Sequence, residues 1–224
     1  MTAMRYELDQ SQPGTYDPAP QGSGMWFENR LGKVTASRLN DMLDFRKDGK
    51  PGAKRLALLG ELVDERMTGR LTQKFVSPAM QWGIDHEPIA ARRYCEITGN
   101  SAESCGFFDH PTINLCGASP DRLIGVDGLA EIKCPTTATY RGWAPMKECP
   151  DDYKPQMILQ LECTGRQWCD FVAFDPRMPE GKQMRIWRYE PSDDERYYVM
   201  DEIEKFLAAV DLAFDELSIV EFEG

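Results

Sequence analysis

Two carboxylates and a lysine lie close together in the middle of the sequence. Ser119-Pro120-Asp121 is followed, after nine intervening residues, by Glu131-Ile132-Lys133. The chain contains only two histidines, so a multi-histidine metal site is nearly excluded. Converging carboxylates without histidine or thiol suit a hard cation such as Mg²⁺, with Mn²⁺ as a substitute. We therefore expect a metal site formed by Asp121, Glu131 and the backbone carbonyl of Ile132.

A strand and a hairpin must bring these groups together. In a strand, Glu131 and Lys133 share one face and lie about 6.6 Å apart along the chain, while Ile132 points into the core. Asp121 precedes a predicted turn at residues 125–128, so it can fold back beside Glu131. Lys133 would then orient or activate an attacking water, or offset developing negative charge. The spacing alone is loose, and a strand salt bridge between Glu131 and Lys133 is the alternative interpretation.

The rest of the chain predicts helices on both sides of a strand-rich middle. The order of elements implies an α/β (α+β) fold with a central mixed β-sheet flanked by helices. We interpret the short apolar runs between 106 and 133 as consecutive antiparallel strands. On the first long helix, apolar residues at helical spacing predict a buried stripe of Leu56, Leu59, Val63 and Met67. The predicted helices are 53–68, 78–99 with a possible kink at Pro88, 151–164 and 193–217, and the later strands are 168–174 and 184–189.

Length and composition favour one folded domain. The 224 residues are 42% hydrophobic and 28% charged, which is ordinary for a globular protein. Residues 9–24 are rich in Pro, Gly, Ser and Gln, so we expect a flexible arm over 1–24 and a single domain over 25–224 that ends in an acidic helix. No apolar run suffices for a membrane span, and the N-terminus lacks the features of a secretory signal. Seven cysteines without a C-x-x-C pair favour reduced thiols and a cytoplasmic location.

The net charge of -11 is concentrated at the C-terminal end. Residues 190–224 contain twelve acidic and two basic residues, so the remainder of the chain is nearly neutral. Local fields rather than net charge steer polyanions, so nucleic acid remains a possible partner. Five basic residues cluster in one short segment and could contact a DNA backbone, or form a solvated loop: Arg46, Lys47, Lys50, Lys54 and Arg55.

The sequence around the acidic pair resembles a known nuclease signature. Ser-Pro-Asp before the hairpin and Glu-Ile-Lys-Cys-Pro after it match the PD-(D/E)xK pattern, and more narrowly resemble the phage lambda exonuclease family of YqaJ-like viral recombinases. The resemblance covers roughly residues 26–178, with departures at 46–76 and in the acidic tail. Further matching segments, in order, are 30–32, 34–37, Trp82-Gly83 with Glu87, Tyr153 with Gln156, and 174–178.

The resemblance implies a PD-(D/E)xK restriction-endonuclease-like core and specific roles. Asp121 and Glu131 would be the metal ligands with the Ile132 carbonyl, and Lys133 would be the catalytic lysine. Glu87 would lie on a helix facing the metal and hold a water bound to it, although a solvent-facing carboxylate is the alternative. The residues that would form a pocket for a terminal 5′-phosphate are Arg30, Ser37, Ser119 and Gln156. For these, an ion pair, a helix cap or a turn is the ordinary structural alternative.

The family also implies an activity. Its members degrade one strand of linear double-stranded DNA in the 5′-to-3′ direction, leave a 3′ single strand for recombination, form ring-shaped homotrimers and work with a single-strand annealing protein. Two alternatives stay open. One is a different nuclease of the superfamily: an endonuclease, or a nuclease with an iron–sulfur cluster on cysteines such as Cys149, Cys163 and Cys169. The other is a non-catalytic DNA-end- or protein-binding module.

Overall fold

The computed structural model describes residues 13–72 and 75–218. In this part of the chain, the strands form two sheets. The first has four strands in the order β1-β4-β5-β2, and the second has five in the order β3-β6-β7-β8-β9. The strands are β1 Tyr16–Asp17, β2 Val34–Thr35, β3 Ala102–Glu103, β4 Phe107–Asp109, β5 Cys116–Ala118, β6 Arg122–Ile124, β7 Gly128–Lys133, β8 Trp168–Phe174 and β9 Met184–Tyr189.

The helices begin and end where local sequence signals place them. Ser77 caps α4 by accepting a hydrogen bond from the Met80 backbone N–H, and the helix continues through Pro88 to a left-handed Gly99 at φ 73°. Gly165 ends α6 in the same way, at φ 66°. The helices are α1 Gly24–Glu28, α2 Leu39–Met42, α3 Ala53–Thr68, α4 Pro78–Thr98, α5 Thr137–Trp143, α6 Lys154–Thr164 and α7 Asp193–Ser218.

The predicted α/β fold with mixed sheets flanked by helices is confirmed, but the middle strands do not form one antiparallel series. β4 pairs with β5 in the first sheet, whereas β6 pairs with β7 in the second. The crossing between sheets falls on Ser119-Pro120-Asp121, where proline lacks the N–H that would continue a ladder. Asp121 therefore lies where the chain passes from one sheet to the other.

The five-stranded sheet is covered on both faces. β7 runs parallel to β8, with Glu131 opposite Phe171 and Lys133 opposite Ala173. Leu129 and Phe171 join the large core, while Ala130 and Ile132 join a smaller core with residues of α4. Because side chains alternate along a strand, Glu131 and Lys133 lie on the face of the large core, which includes α6.

Helix α6 is the central element of the fold. All of its residues from Met157 to Thr164 are buried, and it contacts β4 and β5 of one sheet as well as β8 of the other. α7 packs against both α6 and α3. Because α6 is buried on all sides, its polar side chains need hydrogen-bond partners within the protein. Two of them, described below, have their partner in the candidate site.

The buried face of α3 differs from the predicted stripe. Val63 is buried as predicted and Leu59 packs against the large core, but Leu56 and Met67 are 56% and 46% exposed. The other buried apolar positions are Leu58 and Leu62. The actual face is rotated by about one residue, or about 100°. The apolar spacing did not predict this face, because the face also contains polar residues whose partners lie far away in the sequence. Arg55 donates to the Met42 carbonyl and pairs with Glu202, and Glu65 accepts from the backbone N–H groups of Gly32 and Thr72.

The N-terminal segment is packed on the domain from residue 13 onwards. Tyr16 pairs with Phe108 across β1 and β4, and the Gly14 N–H donates to the Cys163 carbonyl at 2.9 Å. Within the expected arm over 1–24, Gly14 and β1 are thus hydrogen-bonded to the domain, and residues 1–12 lie outside the described part. Among the described helices, none is long and apolar enough to cross a membrane.

Candidate active site

The structure brings Asp121, Glu131 and Lys133 together. The Lys133 ammonium contacts Oε1 of Glu131 along the same face of β7. The Asp121 carboxylate accepts a hydrogen bond from the Ile132 backbone N–H at 2.7 Å. This bond holds Asp121 against the backbone between the other two residues, so the convergence expected from the spacing is present. We call Asp121, Glu131, Lys133 and Glu87 the acid cluster.

Glu131 is fixed by two glutamines of α6. Its side chain is fully buried, and the amide groups of Gln156 and Gln160 donate to its two oxygens, each at 2.6 Å. Gln156 was expected in the phosphate pocket, but the structure pairs its amide with Glu131. Gln160 was not foreseen. Its position four residues after Gln156 places both amides on one face of the helix, which is the signal that could have identified it.

Electrostatics show an excess of negative charge in the cluster. Burial raises the pKa of Asp121 well above its ordinary value, with a further increase from Glu131 and Glu87 that Lys133 and the Ile132 N–H oppose. Burial alone would lower the pKa of Lys133, but the charges of Glu131 and Asp121 raise it above its ordinary value. Lys133 thus balances part of the negative charge, and a bound cation would balance more.

Glu87 joins the cluster through an arginine rather than directly. Its Oε1 accepts from the Arg122 guanidinium at 2.8 Å, and the side chain is 32% exposed. Arg122 also donates to the Asp121 carbonyl. Glu87 is therefore neither free in solvent nor in hydrogen-bond contact with the other two acids. Arg122 was not foreseen, although a basic residue directly after Asp121 is visible in the sequence.

The oxygen atoms of the acid cluster suit a hard divalent cation, but the protein supplies few of its ligands. Within the described ranges, no group of three or more His, Cys, Asp or Glu side chains has an arrangement that could hold a metal. A site here would use the carboxylates of Asp121 and Glu131 with the Ile132 carbonyl as a third oxygen. Oxygen-only ligands with open positions match the preference of Mg²⁺ for water and substrate phosphates. The same ranges contain no group of three or more cysteines arranged as a cluster site, so the iron–sulfur alternative gains no support from the structure.

A second polar group surrounds Arg30. Its guanidinium donates to the hydroxyl of Ser37 at 3.2 Å and lies 4.2 Å from the centre of the Trp26 ring. The Trp26 indole N–H donates to the hydroxyl of Ser119 at 2.8 Å. Arg30, Ser37 and Ser119 are therefore connected, with Trp26 as the link that sequence reasoning missed. Gln156 is separate from these contacts and belongs with Glu131.

The Arg30 group has the electrostatic character of an anion site. Burial and, next, the charge of Arg38 lower the pKa of the Arg30 guanidinium to about 10, against the opposing effect of Glu65. The hydrogen-bond partners of the guanidinium are the hydroxyls of Thr35 and Ser37. Because Ser119 lies two residues before Asp121, this cationic group adjoins the acid cluster.

Comparison with solved structures defines the class of protein. Two structures of the alkaline exonuclease LHK-Exo from Laribacter hongkongensis, one of them in complex with dAMP, share 40% and 41% identity with this chain, at a TM-score of 0.80 for each. In each case the match covers 87% of this chain and 96% of the other. A phage related exonuclease from Haemophilus somnus 129PT has the same fold, with 12% identity and a TM-score of 0.62 over 83% and 94% of the two chains. These relationships support a nuclease of the exonuclease type.

The family follows from the sequence match. Residues 25–167 match the YqaJ-like viral recombinase domain, and the chain belongs to this family. The family resemblance inferred from the motifs is confirmed. No curated protein matches the sequence.

Proposed function

We propose that this protein is a Mg²⁺-dependent 5′-to-3′ exodeoxyribonuclease that degrades one strand of linear double-stranded DNA from 5′-phosphorylated ends and leaves a 3′ single strand. The main support is that Lys133 contacts Glu131 at the end of β7 and that the N–H of Ile132, the residue between them, holds the Asp121 carboxylate. Two acids and a cation placed in this way can act on one phosphodiester. The dAMP complex of LHK-Exo adds support, because a deoxynucleoside monophosphate is the product that exonucleolytic cleavage releases.

The residues of the acid cluster have distinct tasks in this mechanism. A magnesium ion held by Asp121, Glu131 and the Ile132 carbonyl would supply Lewis-acid activation of the phosphodiester and of the attacking water. Gln156 and Gln160 hold the Glu131 carboxylate in one orientation, which preorganises the site. Lys133 orients the water or offsets charge that develops on the phosphate oxygens.

The Arg30 group would give the enzyme its direction. A terminal 5′-phosphate is a dianion that a guanidinium binds through two N–H groups, with Ser37 and Ser119 as neutral donors. Because Ser119 and Asp121 belong to one short segment, a phosphate bound there would place the next phosphodiester of the strand at the acid cluster. Gln156, in contact with Glu131, would meet the strand between the two groups.

The test compares DNA topologies with the full-length protein. With Mg²⁺, we expect release of mononucleotides from linear 5′-phosphorylated duplex and no cleavage of closed circular duplex. Chelation by EDTA should abolish hydrolysis, and Mn²⁺ should restore it. Cleavage of circles would show an endonuclease instead. Binding of duplex ends without hydrolysis of either substrate, in Mg²⁺ or Mn²⁺, would show a binding module and overturn the proposal.

We further propose a ring-shaped homotrimer that encircles the duplex, together with a single-strand annealing protein that coats the emitted strand. These features rest on the family resemblance, and a ring would slow dissociation between successive cuts. A cytoplasmic location is supported by the seven unpaired cysteines. Sedimentation analysis of the purified protein tests the assembly, because a monomer at micromolar concentration would contradict it.

The basic segment at 46–55 forms a loop and the first residues of α3, and it could contact the DNA backbone. Phe45 and Pro51 are bridged, and Lys50 and Lys54 are exposed. Arg55, expected in the same role, points inward to the Met42 carbonyl and Glu202. Neutralising Lys50 and Lys54 should therefore reduce the salt dependence of DNA binding, and an unchanged slope would remove this role.

A further inference from the structure

The turn after β8 lies beside the acid cluster. β7 and β8 are parallel, with Lys133 opposite Ala173, so the segments that follow them leave the same edge of the sheet. The segment after β7 begins with Cys134 and Pro135, and the segment after β8 is Asp175-Pro176-Arg177-Met178. The mechanism proposed above uses no residue of the latter segment.

Arg177 is held in one position by three contacts. Its Nε donates to Asp175 at 2.6 Å, and its Nη2 donates to the Pro135 carbonyl at 2.8 Å. The guanidinium lies 4.3 Å from the centre of the Trp82 ring. Burial alone would raise the pKa of Asp175, but hydrogen bonds from Arg177 and Thr137 lower it below its ordinary value. The Asp175 carboxylate is thus a stable anionic anchor for the guanidinium.

The anchored guanidinium borders the catalytic residues. Pro135, which accepts from it, comes two residues after Lys133, and Trp82 lies on the same helix as Glu87. Cys134 lies between Lys133 and Pro135 in the chain, so one residue separates the acid cluster from the carbonyl that holds Arg177.

Arg177 keeps capacity for a ligand. Its side chain is 42% exposed although it is fixed, and Asp175 and Pro135 engage only two of its five side-chain N–H groups. No other described residue accepts a hydrogen bond from them. A guanidinium with three remaining donors, already ordered, loses little entropy when it binds a phosphate.

We propose that Arg177, held against Trp82, binds a backbone phosphate of the DNA strand next to the phosphodiester that is cut. The inference rests on the proposed function and adds a substrate-binding residue to it. Its construction repeats that of the Arg30 group, where a guanidinium lies 4.2 Å from the centre of Trp26. One pair connects to the segment before Asp121 through Ser119, and the other to the segment after Lys133 through Pro135.

The experiment measures binding of a 5′-phosphorylated duplex end at several salt concentrations. All variants carry Lys133→Ala, so that the DNA stays intact. Arg177→Gln should reduce the slope of log affinity against log salt by about 0.9, the value for one lost phosphate contact on duplex DNA. The matched control is Arg93→Gln on α4, since Arg93 is 40% exposed and also paired with a carboxylate. The control should keep the parent slope, and an equal slope for both variants would overturn the inference.

Steady-state kinetics and a conservative variant separate binding from folding. With Lys133 intact, Arg177→Gln should raise KM about tenfold with little change in kcat, because the contact is to substrate rather than to the reacting atoms. In the Lys133→Ala background, Arg177→Lys retains the charge, so its salt slope should stay close to that of the Lys133→Ala parent, even if Arg177→Gln lowers the melting temperature. A slope for Arg177→Lys as low as that of Arg177→Gln would assign Arg177 a structural role only. If wild type hydrolyses DNA but Arg177→Gln leaves the slope of log affinity against log salt unchanged, only this inference fails. If wild type hydrolyses no DNA, the proposed function fails.

Discussion

The acid cluster and the two arginine–tryptophan pairs are built in different ways. Glu131 lies inside strand β7, is fully buried, and receives hydrogen bonds from two glutamines of a helix that is itself buried. Arg30 and Arg177 follow the ends of α1 and β8, and each is fixed by the face of a tryptophan. The buried acid proposed for the chemistry belongs to the core, whereas the cations that would bind DNA belong to short segments at its edge.

The difference has an energetic reason. A buried carboxylate without donors costs several kcal/mol, so its partners must be present whether or not substrate is bound. A cation–π contact at a partly exposed site contributes about 0.5–1 kcal/mol and leaves N–H groups available. Substitutions in the acid cluster should therefore affect stability as well as chemistry, and substitutions in the pairs should affect mainly binding.

The largest effect is expected for Lys133→Met. Loss of the ammonium should reduce the rate of hydrolysis about 100- to 1000-fold, the range for removal of one preorganised electrostatic group. Binding of duplex ends should change little, because Lys133 contacts Glu131 rather than the proposed phosphate pocket. Single-turnover hydrolysis and equilibrium binding, measured on the same variant, test both parts. A rate within tenfold of wild type would remove Lys133 from the chemistry.

The second prediction concerns the buried support of Glu131. Gln160→Leu removes the donor to one carboxylate oxygen and should lower the free energy of unfolding by about 1–3 kcal/mol. The matched control is Gln81→Leu, since Gln81 is exposed and its amide donates to Asp85 at 2.8 Å. The control should stay within about 0.5 kcal/mol of wild type. Urea unfolding of the three proteins decides the point, and equal stabilities would contradict the contrast between core and edge.

The smallest effect is expected for Arg30→Ala. The variant should lose about tenfold, or about 1.4 kcal/mol, in preference for 5′-phosphorylated over 5′-hydroxyl ends, with hydrolysis of phosphorylated ends slowed accordingly. Arg30→Lys should lie between the two, because an ammonium keeps the charge without the bidentate geometry. Initial rates on the two kinds of end provide the measurement. A preference unchanged in Arg30→Ala would show that Arg30 does not bind the terminal phosphate.

Local signals predicted the regular elements well. α3 covers Ala53–Thr68 as expected, and β8 and β9 have the predicted bounds. Proline, glycine and capping residues act within a few positions of where they stand, so they mark element ends without knowledge of the fold. The same is true of Ser77 at the start of α4.

Long-range packing explains the errors. Arg55 was expected on a DNA-facing loop but is buried against Glu202, which lies 147 positions later in the chain. The strands on either side of Pro120 were expected to be neighbours, yet they belong to different sheets. The hydrophobic pattern of a sequence indicates neither a buried charge whose partner is distant nor the point at which the chain passes from one sheet to another.

The placement of the candidate active-site residues was predictable from residue order, because side-chain direction repeats every two residues along a strand. Glu131, Ile132 and Lys133 must alternate in direction wherever that strand lies, and Asp121 needs only a short hairpin to return to them. Gln160, Arg122 and Arg177 became functional candidates only in the folded chain. The contacts join residues 29, 35 and 42 positions apart, and they depend on how α4 and α6 pack on the five-stranded sheet and on which of its strands are neighbours.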